Sequence, residues 1–219
     1  MLSKWCSNCG SYAVRLSLAW ICLGVDLLIH SVAYAAQSHV QVDTSMGSFT
    51  LRLFNEQAPK TVSNFLRYVN EGFYRDTLIH RVISDRLIQG GSFTVGMEQK
   101  PTHEPIANEA HLGLKNRFGT IAMARVQDDP HSATAGFFIN VNYNTPYDHK
   151  DKTPFLWGYA VFGEVVDGLD TLRRIADSPT HRQETYPHLS HFPKTAIVIH
   201  QMTMVANDDA DALGGERGE

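Results

Sequence analysis

Between residues 40 and 205 the chain is cut into many short apolar runs, and this punctuation most limits what it can fold into. Leu78–Ile83, Ile88–Gly90, Gly119–Ala124, Phe137–Val141, Tyr159–Val166 and Ala196–Val205 are each of strand length and rich in β-branched or aromatic residues. Ahead of them, His39–Thr44 and Ser48–Leu53 alternate about a turn at Met46-Gly47-Ser48 and read as a hairpin. Two segments follow the helical period. In the first, Val62, Phe65, Leu66 and Val69 form an apolar stripe, Pro59 suits the first helical position and Gly72 suits the stop. The second spans Asp167–Ala176, with Leu169, Leu172 and Ile175 on one face. Short strands with two isolated helices predict a mainly β fold, a closed antiparallel barrel whose open ends the helices cover.

The run Ile79–Gly91 carries the most chemistry. It holds Arg81 and Gln89 eight residues apart and closes on Gly90-Gly91. Residues an even number apart on a regular strand share a face, so the two side chains are expected to converge on one site. An arginine and an amide over an apolar surface suit a neutral polar substrate such as a peptide carbonyl. They make neither a nucleophile nor a proton-transfer pair.

Composition narrows the partners. A chain of 219 residues with net charge −4 and no basic run lacks the face that phosphate contacts require, so no nucleic acid is expected. Residues 1–36 read as a secretory signal peptide: Lys4 and Arg15 precede an apolar stretch, Leu16–Val32, that ends in Ala33-Tyr34-Ala35-Ala36. Cleavage is expected after Ala35 or Ala36. A leader that is retained would instead be a membrane anchor, against which Asp26 counts. The three cysteines, Cys6, Cys9 and Cys22, all lie in this segment, and Cys6-Ser7-Asn8-Cys9 has no second pair to complete a zinc site. Residues 37–206 form the expected folded domain. The acidic, glycine-rich stretch 207–219 reads as a disordered tail.

Gly72-Phe73-Tyr74, His80-Arg81-Val82-Ile83, Ile88-Gln89-Gly90-Gly91, Gly119–Arg125, Phe137-Phe138-Ile139-Asn140 and Gly158–Gly168 occur in this order, and together they resemble the cyclophilin-type peptidyl-prolyl cis–trans isomerases. Asn108-Glu109-Ala110 and His131–Ala135 resemble the bacterial branch. The resemblance implies an eight-stranded barrel with two capping helices, isomerase activity, no cofactor and no metal. It places Arg81 as the catalytic arginine and Gln89 as the group that holds the substrate backbone or orients the guanidinium. Met123 and Phe138 match the apolar socket for the proline ring, and Ala124 and Arg125 match the segment that pairs with the substrate backbone.

Departures from the family pattern fall in the same region. Gly136 stands where a glutamine is usual, Arg86 where a phenylalanine walls the pocket, and Leu87 at a usual methionine position. Ile79 replaces an aromatic, and Tyr159 replaces the histidine of many members. The position of the tryptophan that contacts cyclosporin falls near Pro146, and Trp157 is not its replacement. These changes imply a slower isomerase with low cyclosporin sensitivity. A proline-peptide-binding chaperone without catalysis is the alternative. A metal-binding reading rests only on His181, His188 and His191, since no H-E-x-x-H or G-x-S-x-G motif occurs. The expected partners are proline-containing unfolded or exported polypeptides. They would be met by a monomer in the periplasm or outside the cell, with no membrane span after processing.

Overall fold

The computed structural model describes residues 37–183 and 190–205; the expected leader, the acidic tail and His188 lie outside the described residues. The strands are β1 (His39–Thr44), β2 (Gly47–Leu53), β3 (Thr77–Ile83), β4 (Leu87–Thr94), β5 (Thr120–Met123), β6 (Phe137–Asn140), β7 (Val161–Asp167), β8 (Thr180–His181), β9 (Phe192–Pro193) and β10 (Ile197–Val205). Eight of them close an antiparallel barrel in the order β1-β10-β3-β4-β6-β5-β7-β2, and β8 pairs with β9 in a separate ribbon. Helices α1 (Pro59–Asn70) and α2 (Leu169–Ala176) complete the domain. Among the described residues, no helix is long and apolar enough to cross a membrane.

Alternation along the strands fills the barrel. Val40, Val42, Leu51, Leu53, Ile121 and Ile199 are fully buried in one cluster that both helices join. Phe65 of α1 anchors it, with ring centroids 5.0 Å from Phe162 and 5.4 Å from Tyr74. The Tyr74 hydroxyl donates to Ala135 O at 2.9 Å, and burial pushes its pKa well above the usual phenolic value. The helices stand at opposite ends of β2: Arg174 of α2 reaches Met46 O beside its start, whereas α1 follows its far end. Gly47 starts β2, so the first hairpin turns on Ser45-Met46, one residue earlier than the alternation suggests.

Helix α1 has Pro59 at its start, and Gly72 takes a left-handed φ of 65° just past its end. Its N-cap position is Ala58, which offers no side-chain acceptor. The missing cap comes from far along the chain. Buried Glu109 accepts from Lys60 N at 3.2 Å, Thr61 N at 2.8 Å and Thr61 Oγ1 at 2.7 Å. A carboxylate there satisfies orphan amides and faces the positive end of the helix dipole.

Candidate functional site

Arg81 and Gln89 meet, though not along one strand. The run Ile79–Gly91 folds back at Ser84-Asp85-Arg86, and Asp85 takes the left-handed φ of 57° that the turn needs. Arg81 on β3 thereby faces Gln89 on β4, and Arg81 Nη1 donates to Gln89 Oε1 at 3.1 Å. The pairing continues sideways: Gln89 faces Phe138 on β6, and Phe138 faces Ala122 on β5. Directly paired residues present their side chains on the same side of a sheet. Arg81, Gln89, Phe138 and Ala122 therefore form one transverse row on the outer face of the barrel. With strands about 4.8 Å apart, the guanidinium-bearing strand lies roughly 10 Å from the strand of Phe138.

Beside that row lies a second apolar cluster of Leu87, Ala122, Phe138 and Val161. Tyr147 and Tyr159, both half-buried, pack against it. Their rings and that of Phe138 make a mutually edge-on triad, with centroids 5.8 Å apart for Phe138–Tyr147, 5.4 Å for Phe138–Tyr159 and 5.1 Å for Tyr147–Tyr159. Edge-to-face packing fixes the orientation of the three rings.

Tyr147 escapes a reading of the sequence because it sits in the irregular stretch 143–157. Backbone and amide chemistry place it. Tyr159 N donates to Tyr147 O at 2.9 Å, and at Gly158, with φ of 80°, a β-carbon would stand 2.5 Å from His149 N. Only glycine allows that approach. Three buried amides then tie the loop to the strand ends. Asn140 Nδ2 donates to Thr120 Oγ1 at 2.9 Å and to Asn116 Oδ1 at 3.2 Å. Asn144 Nδ2 donates to Asn140 Oδ1 at 2.7 Å and to Arg86 O at 2.8 Å, and Asn116 Nδ2 donates to Tyr147 O at 3.1 Å.

Two of the expected site residues, Met123 and Ile79, are buried in the barrel. Met123 is 1% exposed and belongs to the barrel's inner cluster: it pairs with Phe137, not Phe138, and so faces inward. Ile79 is also interior, although it is two residues from Arg81. The register shifts between them, so the alternation breaks at His80 and Ile79 and Val82 both reach the core. Arg86 is exposed in the β3–β4 turn, next to Leu87, and its carbonyl accepts from Asn144 Nδ2 at 2.8 Å. Leu87 does lie in the pocket cluster.

Arg125 is occupied within the molecule. Its Nε donates to Gly158 O at 2.9 Å, Nη1 to Val126 O at 2.9 Å and Gln127 O at 2.8 Å, and Nη2 to Pro154 O at 3.0 Å. Its guanidinium carbon stands 4.7 Å from the Tyr159 ring centroid. The side chain thus braces the Tyr159 ring and the loop carbonyls, and leaves open the expected pairing of the Arg125 backbone with a substrate. Ala124 is half-buried, and its N–H is already given to Gly136 O at 2.9 Å. Pairing with a peptide backbone would fall to the segment leaving β5.

Among the described residues, the histidines do not converge on this site. His80 is 3% exposed, edge-on to Phe93 at 4.8 Å, and burial holds its imidazole down to about 4. It is neutral at physiological pH. His131 and His149 pack edge-on against Trp157 at 4.7 and 5.8 Å, where His149 Nδ1 bonds Trp157 O at 2.8 Å. Trp157 itself belongs to that packing. Among the described residues no three His, Cys, Asp or Glu side chains are arranged to hold a metal ion.

Known proteins share the sequence and the fold of this chain. The family model for cyclophilin type peptidyl-prolyl cis-trans isomerase matches residues 39–204. Peptidyl-prolyl cis-trans isomerase B of Escherichia coli is 47% identical over 165 residues, covering 75% of this chain and 98% of that protein. The isomerase cyp18 of Streptomyces antibioticus is 56% identical over 138 residues, 63% of this chain and 82% of its own. A crystal structure of a Cryptosporidium parvum cyclophilin type isomerase, 26% identical, superposes with a TM-score of 0.60 over 78% of this chain and 98% of that one. A second structure of that protein, in the presence of the dipeptide Ala-Pro, gives a TM-score of 0.59 at 27% identity over 77% of this chain and 99% of that one. With the eight-stranded barrel, two helices and the ordered motifs in place, the chain belongs to the cyclophilin-type peptidyl-prolyl cis–trans isomerase family.

Proposed function

We propose that Arg81 is the catalytic group of this peptidyl-prolyl isomerase, and that its substrates are proline-containing chains folding outside the cytoplasm. The observation that carries the reading is the transverse row: Gln89 holds a guanidinium on the same sheet face as the Phe138 pocket. Leu87, Phe138, Tyr147 and Tyr159 would seat the pyrrolidine ring. Gln89 would fix the guanidinium or accept from the substrate backbone.

The chemistry follows from amide resonance. An X–Pro bond must be twisted over a barrier of about 18–20 kcal/mol, and the twisted nitrogen regains a lone pair. A donor aimed at that nitrogen, or at the moving carbonyl oxygen, binds the twisted state more strongly than the planar one and so raises the rate. Arginine offers five fixed donors and keeps its charge at any physiological pH. No proton is transferred, and the adjacent His80 is already neutral, so the rate is expected to be flat from about pH 6 to 8. A bell-shaped profile would point to a histidine acid or base instead.

The test is proline-peptide exchange measured on the wild type and on Arg81→Ala. Removing one preorganised donor typically costs about a hundredfold or more; equal rates would reject the assignment. A wild type that binds proline peptides without accelerating exchange would favour the chaperone reading. Export rests on Lys4, Arg15, the Leu16–Val32 stretch and the Ala33–Ala36 site. Mass spectrometry of the mature protein should find it starting at Ala36 or Gln37, and an intact Met1 would overturn that part.

A further inference from the structure

Gly136 and Ser92 are a matched pair. Gly136 occupies the position where the family pattern carries glutamine, and its backbone does not require glycine, since its φ lies outside the left-handed region. What a side chain would meet is a neighbour: a β-carbon on Gly136 would stand 2.7 Å from Ser92 Oγ, which would have to turn away, and 3.5 Å from Ala124 Cβ. Gly136 lies two residues before Phe138 on the same run, so a side chain there would share the face of Phe138 and Gln89. The Ser92 hydroxyl fills that place. Ser92 is half-exposed at the rim, and its Oγ has no hydrogen-bond partner among the described residues. A hydroxyl both donates and accepts, as a glutamine amide does, but from β4 instead of β6.

We propose that Ser92 is a substrate-binding residue whose hydroxyl replaces the amide missing at position 136 and bonds the peptide main chain flanking the proline. It extends the row from Arg81 and Gln89 toward Ala124, at the point where the chain leaves β5. This rests on the catalytic reading of Arg81, and it accounts for the departure at Gly136 by a polar group on the neighbouring strand.

The experiment is a double-substitution cycle read by kcat/KM in proline-peptide exchange, with thermal unfolding of each variant as the control. Ser92→Ala keeps the volume and removes the hydroxyl; it should lower kcat/KM about three- to tenfold with an unchanged midpoint, as expected for one lost hydrogen bond. Gly136→Gln alone should lower kcat/KM, because its β-carbon meets Ser92 Oγ. Ser92→Gly with Gly136→Gln should restore it to wild type or above. Wild-type kcat/KM in Ser92→Ala, or a Gly136→Gln enzyme as active as the double variant, overturns the proposal. Loss in Arg81→Ala alongside a neutral Ser92→Ala sinks only the role of Ser92. A wild-type rate in Arg81→Ala sinks the catalytic reading and the Ser92 role with it.

Discussion

Phe137 turns into the barrel, where its ring lies 6.2 Å from Phe65 and 5.7 Å from Tyr74, whereas Phe138, one residue on, turns outward against Tyr147 and Tyr159. The inward partners are Phe65 of α1 and Tyr74 of the turn that links α1 to β3, whose hydroxyl is bonded to Ala135 O. The outward partners come from the 143–159 loop, held by buried asparagines and one close backbone approach. The same residue type thus serves the core on one face and the pocket on the other. The inner side draws its precision chiefly from packing, and the outer side draws it chiefly from hydrogen bonds.

Breaking the two sides separately should give unlike results. Phe137→Ala should cost about 3–5 kcal/mol of stability, seen as a lower urea midpoint, because it opens a cavity among aromatic rings. Phe138→Ala, with Phe138 3% exposed, should cost a similar amount of stability, yet only it should also lower kcat/KM more than tenfold per folded molecule in proline-peptide exchange. Equal activity per folded molecule in the two variants would erase the distinction.

Acid should also separate them. The folded protein holds His80 at about 4, below its ordinary 6.5, so the unfolded chain binds the extra proton between those values. Stability contributed by neutral His80 is complete above pH 6.5 and is lost progressively as pH falls toward 4, by roughly 3 kcal/mol in total. Urea titrations at pH 7 and pH 5 should show the loss, and His80→Gln should flatten that slope. Turnover per folded molecule should not move over pH 8 to 6. The smallest expected effect is that of Asn140→Ala, which strands the amides of Asn116 and Asn144: about 1–3 kcal/mol of stability, with KM rising because Tyr147 loses its tether. An unchanged KM would mean that the loop holds itself.

Much of the barrel is legible in the residues. Pro59 and Gly72 bound α1 as expected, the β1–β2 hairpin lies one residue from its expected turn, and six further runs become strands, five with ends moved by at most two residues and β4 running four residues past its expected end at Gly90. Arg81 and Gln89 were expected to meet by sharing one strand; they meet because the run folds into a hairpin, a contact that depends on the turn at Asp85. What stayed hidden was set by pairing. The register shift at His80 sends Ile79 inward, and the β5–β6 register sends Met123 the same way. Tyr147 and the bracing role of Arg125 depend on loop carbonyls distant in sequence, which no local period records.

Glu109 caps α1 from a loop 48 residues beyond Thr61. Helix α1 therefore lacks a complete first turn until that loop has docked. The amides of Lys60 and Thr61 should gain protection from hydrogen exchange only when the 104–110 segment is in place, and refolding should order the start of the helix late. An isomerase that hastens slow steps in other chains would carry a long-range closure among the final steps of its own assembly.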